Sequence, residues 1–228
     1  MLINNTTIDF PHTRRLLDQG QRVILFIRHS ERPEISRDDR EFGRHLGLTA
    51  NGIVMARQAG AFFAGIPDAD FFASPMERCR LTARYFAEGM GLRAAVTDAP
   101  QIGIDGFYMQ TDTHALHLLM KQHGYMEYML NYLQQGTAPH LNPIDSATLK
   151  TIEWMQGITR AQLAVFVSHD MYITALITAL GIRTFTGSDW IGFLHAAVLS
   201  YNAAENRWTA HCAVPCLHSH TEPARFSD

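Results

Sequence analysis

Val23-Ile24-Leu25-Phe26-Ile27-Arg28-His29-Ser30-Glu31-Arg32-Pro33 is the stretch on which the fold of this chain turns. Its first five residues form a β-branched and aromatic run, the pattern of a buried strand. The strand delivers a histidine between two arginines to its end, where α/β sheets place their chemistry. A neutral imidazole can attack phosphorus, and guanidinium groups grip phosphate oxygens in a fixed, forked geometry. Two later segments repeat the arrangement. Ser74-Pro75-Met76-Glu77-Arg78-Cys79-Arg80-Leu81-Thr82-Ala83 follows Phe71-Phe72-Ala73, and Ser168-His169-Asp170 follows Leu163-Ala164-Val165-Phe166-Val167. Each run ends in phosphate-competent residues and passes into a helical pattern. Three such junctions are far more specific than one Arg-His pair.

This alternation of run, motif and helix predicts an α/β fold: a three-layer α/β/α domain with a mostly parallel central sheet and the motif loops at the C-terminal ends of its strands. At 228 residues the chain suits one domain, 1–228. A helix is expected over 7–19, stopped by Gly20, and another over 49–65 with Thr49 as N-cap. Strands are expected over 70–73, 92–96 and 163–167, helices over 75–90, 145–157 and 172–180, the last stopped by Gly181. Residues 196–201 and 208–212 read as a hairpin. Arg37, Asp38, Asp39, Arg40, Glu41, Arg44 and His45 mark 34–47 as a surface loop and a candidate wall of the site. Residues 98–143 read as an insertion that caps the sheet as a lid.

The motifs resemble those of the histidine phosphatase superfamily, which has the phosphoglycerate mutase-like fold. Arg28-His29-Ser30-Glu31-Arg32-Pro33 is similar to that family's Arg-His-Gly-x-Arg-x-Pro signature, and Ser74-Pro75-x-x-Arg78-x-x-x-Thr82-Ala83 to its Ser-Pro-x-x-Arg-x-x-x-Thr-Ala segment. His169-Asp170 is similar to the His-Asp pair of its acid phosphatase branch. Leu48-Thr49-Ala50-Asn51-Gly52 resembles the Leu-Thr-x-x-Gly that opens the first helix in many members. The matches run in the family's order over 23–180. Ser30 stands where Gly is usual, which puts a Cβ beside the expected phosphate.

His29 is the candidate nucleophile, with nearby positive charge depressing its pKa. Arg28, Arg32 and Arg78 would hold the non-bridging oxygens and absorb transition-state charge. Arg80 lies about 200° round a helix from Arg78 and points elsewhere. His169 would donate to a phosphate oxygen opposite His29. Asp170 would protonate the leaving oxygen and then activate water, although the same carboxylate also suits a helix N-terminus. Asp105, in Ile102-Gly103-Ile104-Asp105-Gly106-Phe107, is the rival acid, because other branches of the family draw theirs from a loop in this region, usually as Glu.

The expected function is therefore a metal-independent phosphomonoesterase working through a phosphohistidine on a small phosphorylated metabolite. A phosphomutase of the same fold and a non-catalytic phospho-ligand module are the alternatives. No metal or cofactor is required, since arginines supply the charge that Mg²⁺ supplies elsewhere. The expected partners are substrate and inorganic phosphate. A formal charge of -3 gives no footprint for nucleic acid or an anionic membrane, and a homo-oligomer stays open. No apolar stretch approaches a bilayer span, no signal peptide pattern opens the chain, and three cysteines make no disulfide framework, which reads as cytoplasmic. Cys212, Cys216, His218 and His220 crowd into nine residues, unlike the two separated pairs of a structural zinc site. Phe107, Tyr108, Tyr125, Tyr128 and Tyr132 in the insertion are candidates for a pocket wall or for core packing.

Overall fold

The computed structural model describes residues 2–36, 39, 43–110 and 113–217. In chain order the elements are β1 (Leu2–Asp9), α1 (Phe10–Asp18), β2 (Arg22–Arg28), α2 (Ala50–Ala61), β3 (Ala69–Ala73), α3 (Glu77–Gly89) and β4 (Val96–Asp98). A short 3-10 helix at Pro100–Ile102 follows, then α4 (Thr113–His123), α5 (Tyr125–Gln135), α6 (Ile144–Ile158), β5 (Leu163–Ser168), α7 (Asp170–Ala179), β6 (Ala196–Asn202) and β7 (Arg207–Val214). The strands form one sheet in the order β1-β7-β6-β2-β5-β3-β4. It is mostly parallel, with antiparallel pairing only where β6 meets β2 and β7.

Period-two alternation sorts the strand residues into two cores. Ile24, Phe26, Ala164 and Phe166 face a layer that includes Leu116, Met129, Ile152 and Leu176 from α4 to α7. Val23, Leu25, Ile27, Val165 and Val167 face Phe10, Leu17, Ala59, Ala83 and Phe86 from α1 to α3. The result is the expected α/β/α sandwich. Ile102, Tyr108, Tyr128 and Tyr132, from between β4 and α6, bury themselves in the first of these cores.

Register explains why the motifs meet. β2, β5 and β3 are neighbouring parallel strands, and Arg28 pairs with Ser168 while Val167 pairs with both Ile27 and Ala73. Their C-terminal ends are therefore flush. His29 N–H continues the ladder to Ser168 O, and Ser74 N–H to Val167 O, each at 2.9 Å.

Several expected boundaries move. The chain opens with β1 on one sheet edge, so the first helix starts at Phe10. There the Asp9 carboxylate caps His12 N–H at 2.7 Å and Pro11 occupies the first turn. The strand expected over 92–96 is instead β4 at Val96–Asp98. Leu92 is consumed in closing α3, where Gly91, at φ +82°, and Leu92 send their N–H groups back to Glu88 O and Ala87 O. The helix expected from Pro75 begins at Glu77, because Ser74 still belongs to the strand ladder. α7 starts two residues early, at Asp170, with His169 in the N-cap position.

Candidate active site

Arg28 ends β2, and the signature that follows is tied down by two helices. Ser30 N–H donates to Thr82 Oγ1 at 2.9 Å, and Thr82 Oγ1 donates to Arg78 O within α3. Ser30 Oγ donates to Gly52 O at 2.7 Å on α2, and the residue is fully buried. The serine side chain thus faces the scaffold, and the concern that its Cβ crowds a phosphate is set aside. Glu31 accepts from Thr49 Oγ1 and Asn51 Nδ2, while Thr49 caps α2 by accepting Gly52 N–H. Gly52 is needed here, since a Cβ would lie 2.1 Å from Glu31 O.

His29 Nδ1 lies 2.8 Å from Ser30 O. A carbonyl can only accept, so Nδ1 carries the hydrogen and Nε2 the lone pair. Burial, then Arg78, His169 and Arg28, hold the imidazole pKa well below its usual range. His29 is 3% exposed, and its ring centroid lies 5.5 Å from that of His169. One phosphoryl group can touch both. His169 is bracketed by Ser74 Oγ, 3.0 Å from Nε2, and by Arg78 Nη2, 3.4 Å from Nδ1. Burial and Arg78 lower its pKa as well. Cys79 Sγ sits 3.7 Å from His169 Nε2, but burial pushes this thiol up to about 12, so it is no rival nucleophile.

The three arginines converge with the histidines. Arg28 lies over the Phe193 ring at 4.5 Å and donates to Ile191 O, and its Nη2 is 3.3 Å from Asp170 Oδ2. Arg78 Nη1 donates to Gly43 O at 2.7 Å. Arg32 Nη1 donates to Pro33 O, and burial with Arg78 nearby lowers its pKa to about 10, still cationic at neutral pH. Among the described residues, four guanidinium Nε atoms are buried without a hydrogen-bond partner, and three of them belong to Arg28, Arg32 and Arg78. Buried donors left without acceptors cost about 1–3 kcal/mol each. A shared anionic acceptor is what such a cluster fits.

Asp170 accepts from Tyr125 Oη at 2.9 Å and from Trp190 Nε1 at 3.1 Å. Burial alone would raise its pKa, but Arg28, Trp190, Tyr125 and His169 outweigh it and the net shift is downward. Asp105 is exposed, on the rim of a small crevice that it shares with Arg44, Ser74 and Pro75. Arg80 points away from the site, as expected, and is forked onto Asp98 at the surface.

The sequence reading missed one wall. Trp190, Ile191 and Phe193 touch Asp170, Arg28 and His29, yet they sit in a stretch with no periodicity and no motif. The adjacent Trp and Gly192 were the only signal available. Of the five aromatics in the insertion, Tyr125 alone reaches the site. Tyr108 and Tyr132 are buried in the core with their hydroxyls satisfied by Thr148 and Asn142, Tyr128 donates to Pro139 O, and Phe107 packs on Trp154. Arg37, Asp38, Arg40 and Glu41 of the expected loop wall lie outside the described residues, as do His218 and His220. Cys212 is buried in β7 and Cys216 lies exposed beyond it, and no described group of three or more His, Cys, Asp or Glu is placed to hold a metal.

The model of the histidine phosphatase superfamily (branch 1) matches residues 24–213. The chain belongs to that superfamily. It is a histidine phosphatase, with the phosphoglycerate mutase-like fold that the motifs imply. The match is to branch 1, and it leaves the His169-Asp170 pair, which resembles that of the acid phosphatase branch, without an assigned role. No curated protein matches this phosphatase. Among solved structures, a mycobacterial glucosyl-3-phosphoglycerate phosphatase is 16% identical at a TM-score of 0.55, covering 85% of this chain and 98% of its own. A putative alpha-ribazole-5'-P phosphatase from Escherichia coli is 18% identical at 0.53, covering 85% and 95%. At these identities the likeness is one of fold. Among the described residues no helix is long and apolar enough to cross a membrane.

Proposed function

We propose that this histidine phosphatase is a metal-independent phosphomonoesterase that works through a phosphohistidine at His29 on small phosphorylated metabolites. The observation that carries this reading is the trio of buried, unpartnered Nε–H groups on Arg28, Arg32 and Arg78 around a neutral imidazole. Three guanidinium charges against the Asp170 and Asp39 carboxylates leave a positive surplus that suits a phosphomonoester dianion.

In the first half-reaction His29 Nε2 attacks phosphorus as the P–O ester bond breaks. The electron pair leaves on the ester oxygen, which takes a proton from Asp170. In the second, a water oxygen attacks phosphorus while Asp170 takes a water proton. The P–N pair returns to Nε2 and inorganic phosphate departs. The downward shift at Asp170 has a place in this scheme. Arg28 stabilises the Asp170 anion at rest, and a bound phosphate competes for the same guanidinium, so substrate itself would loosen Asp170 toward protonation.

A small substrate fits the near closure of the site, where His29, Arg28, Arg78 and His169 are all under 9% exposed. The 98–143 insertion would act as its lid, with Tyr125 as the contact. Substrate and inorganic phosphate would be the partners, in a cytoplasmic setting, with no role for nucleic acid or membrane.

The test is turnover of p-nitrophenyl phosphate in EDTA, with an alkaline detergent quench and analysis of the phosphoenzyme. Undiminished activity and an acid-labile, base-stable phosphoryl group that His29→Ala lacks are expected. Activity lost to the chelator and restored by a divalent metal would overturn metal independence. A mutase would pass the phosphoryl group to an added acceptor faster than to water.

A further inference from the structure

The Asp170 carboxylate is saturated with donors. Oδ1 accepts from Tyr125 Oη at 2.9 Å and from Met171 N–H at 3.0 Å. Oδ2 accepts from Trp190 Nε1 at 3.1 Å and faces Arg28 Nη2 at 3.3 Å. A charged carboxylate offers about four lone-pair positions and no hydrogen, so four donors fill it. Three of them come from other segments: Arg28 ends β2, Tyr125 opens α5, and Trp190 lies between α7 and β6. The two rings meet edge to face at 6.4 Å, and Phe185 braces Trp190 from behind at 5.8 Å. This is more support than a helix N-terminal aspartate needs, since Met171 N–H alone would serve that role.

The four donors differ in what a phosphate does to them. Only Arg28 is a group that a phosphate dianion would claim. Once it turns to the substrate, Tyr125, Met171 and Trp190 still fix both oxygens, and the single position freed is on Oδ2, on the Arg28 side. The orientation of the carboxylate then decides where its proton sits when the ester bond breaks.

We propose that Tyr125 and Trp190 are positioning residues that clamp the Asp170 carboxylate, so that the lone pair vacated by Arg28 is the one aimed at the leaving-group oxygen. This inference rests on Asp170 being the general acid. Both donors favour the anion over the acid, so removing either should raise the pH at which Asp170 gives up its proton. The proton it delivers passes to the ester oxygen as that oxygen takes the P–O electron pair.

The experiment is single-turnover phosphorylation of the enzyme, in excess over propyl phosphate, across a range of pH. An alkoxide needs the proton. p-Nitrophenolate does not, so p-nitrophenyl phosphate serves as the comparison. Tyr125→Phe and Trp190→Phe should each move the alkaline limb for propyl phosphate upward by about one to two pH units, the effect of one hydrogen bond to a charged group. p-Nitrophenyl phosphate should show no such limb in any variant. A fall in rate with the limb unmoved in both variants would mean that the two rings only pack, and would overturn the clamp. Asp170→Asn separates the two readings. If it abolishes the limb while the ring variants leave it in place, the acid assignment stands and this inference alone fails. If the limb survives Asp170→Asn, the acid lies elsewhere and both fail. The two rings sit on different segments, so a misfolded variant at one leaves the other to decide.

Discussion

Thr82→Val isolates the tie between α3 and the signature loop. The substitution keeps the shape of the side chain and removes its oxygen. Thr82 is fully buried, accepts Ser30 N–H at 2.9 Å and donates to Arg78 O at 2.7 Å. The carbonyl keeps its helical partner, so the group orphaned is Ser30 N–H, at a cost of about 1–3 kcal/mol. Such a loss lowers the melting temperature by about 2–4 °C per kcal/mol in a domain of this size. Ser30 also supplies the carbonyl that holds His29 Nδ1, so a shift of its backbone turns the nucleophile. A misplacement of that kind lowers kcat/KM by roughly tenfold to a hundredfold. Thr82→Ser is the control: it keeps both hydrogen bonds and loses one methyl group, about 1 kcal/mol. Urea denaturation and p-nitrophenyl phosphate kinetics read both effects. If Thr82→Val matched Thr82→Ser in stability and in kcat/KM, the hydroxyl would not be what anchors the loop.

Gly52→Ala puts a Cβ 2.1 Å from Glu31 O, a backbone atom that cannot yield without moving the signature; phosphate binding and the unfolding midpoint, measured by calorimetry, should both fall sharply. Asp170→Asn should slow an alkyl phosphate by about 10²–10⁴, while Asp105→Asn, at the exposed rim, should leave its kcat within a few-fold; the reverse order would move the acid to the 3-10 loop. Stability should fall with acid. Burial, with Arg183 and Arg28 nearby, lowers folded His195 to about 4, against 6.5 when unperturbed. The unfolded chain therefore binds the extra proton between those values, and the stabilisation present above pH 6.5 drains away by about 2 kcal/mol at pH 5. His195→Gln should lose that much less between pH 7 and pH 5 in denaturant titrations, with buried His29, His169 and His211, whose pKa values are also depressed, contributing to the acid sensitivity that remains.

Apolar runs ending in charged motifs made the central sheet legible, because β2, β3 and β5 are short, buried and parallel, and their side chains leave no doubt about burial. The same logic found His29, His169, Arg28 and Arg78, since strand ends in register must bring their residues together. Edges were less legible. β1 and β4 carry polar residues such as Asn4, Asn5, Thr97 and Asp98, and what makes them strands is a neighbour to pair with, not their own pattern. The Trp190–Phe193 wall was illegible for a third reason. Its shape depends on backbone that no propensity encodes, and its partners Arg28 and His29 lie more than a hundred residues away in sequence.

That wall carries a strained residue. Leu194 is fully buried with φ +60°, a conformation that costs a branched side chain about 1–2 kcal/mol. It persists because the strand beside it fixes both ends: Leu194 N–H donates to Arg28 O, and Arg28 N–H donates to His195 O. Arg28 therefore does three things from one position. Its backbone clamps the turn that carries Trp190 and Phe193, its guanidinium rests on Phe193 and Ile191 O, and its remaining reach touches Asp170. In the proposed mechanism, a phosphate that drew this guanidinium away would act on Asp170 and on the wall at once, while the backbone clamp stayed in place. Substrate binding and acid release would thereby be coupled through a single side chain, without movement of the strand that leads into His29.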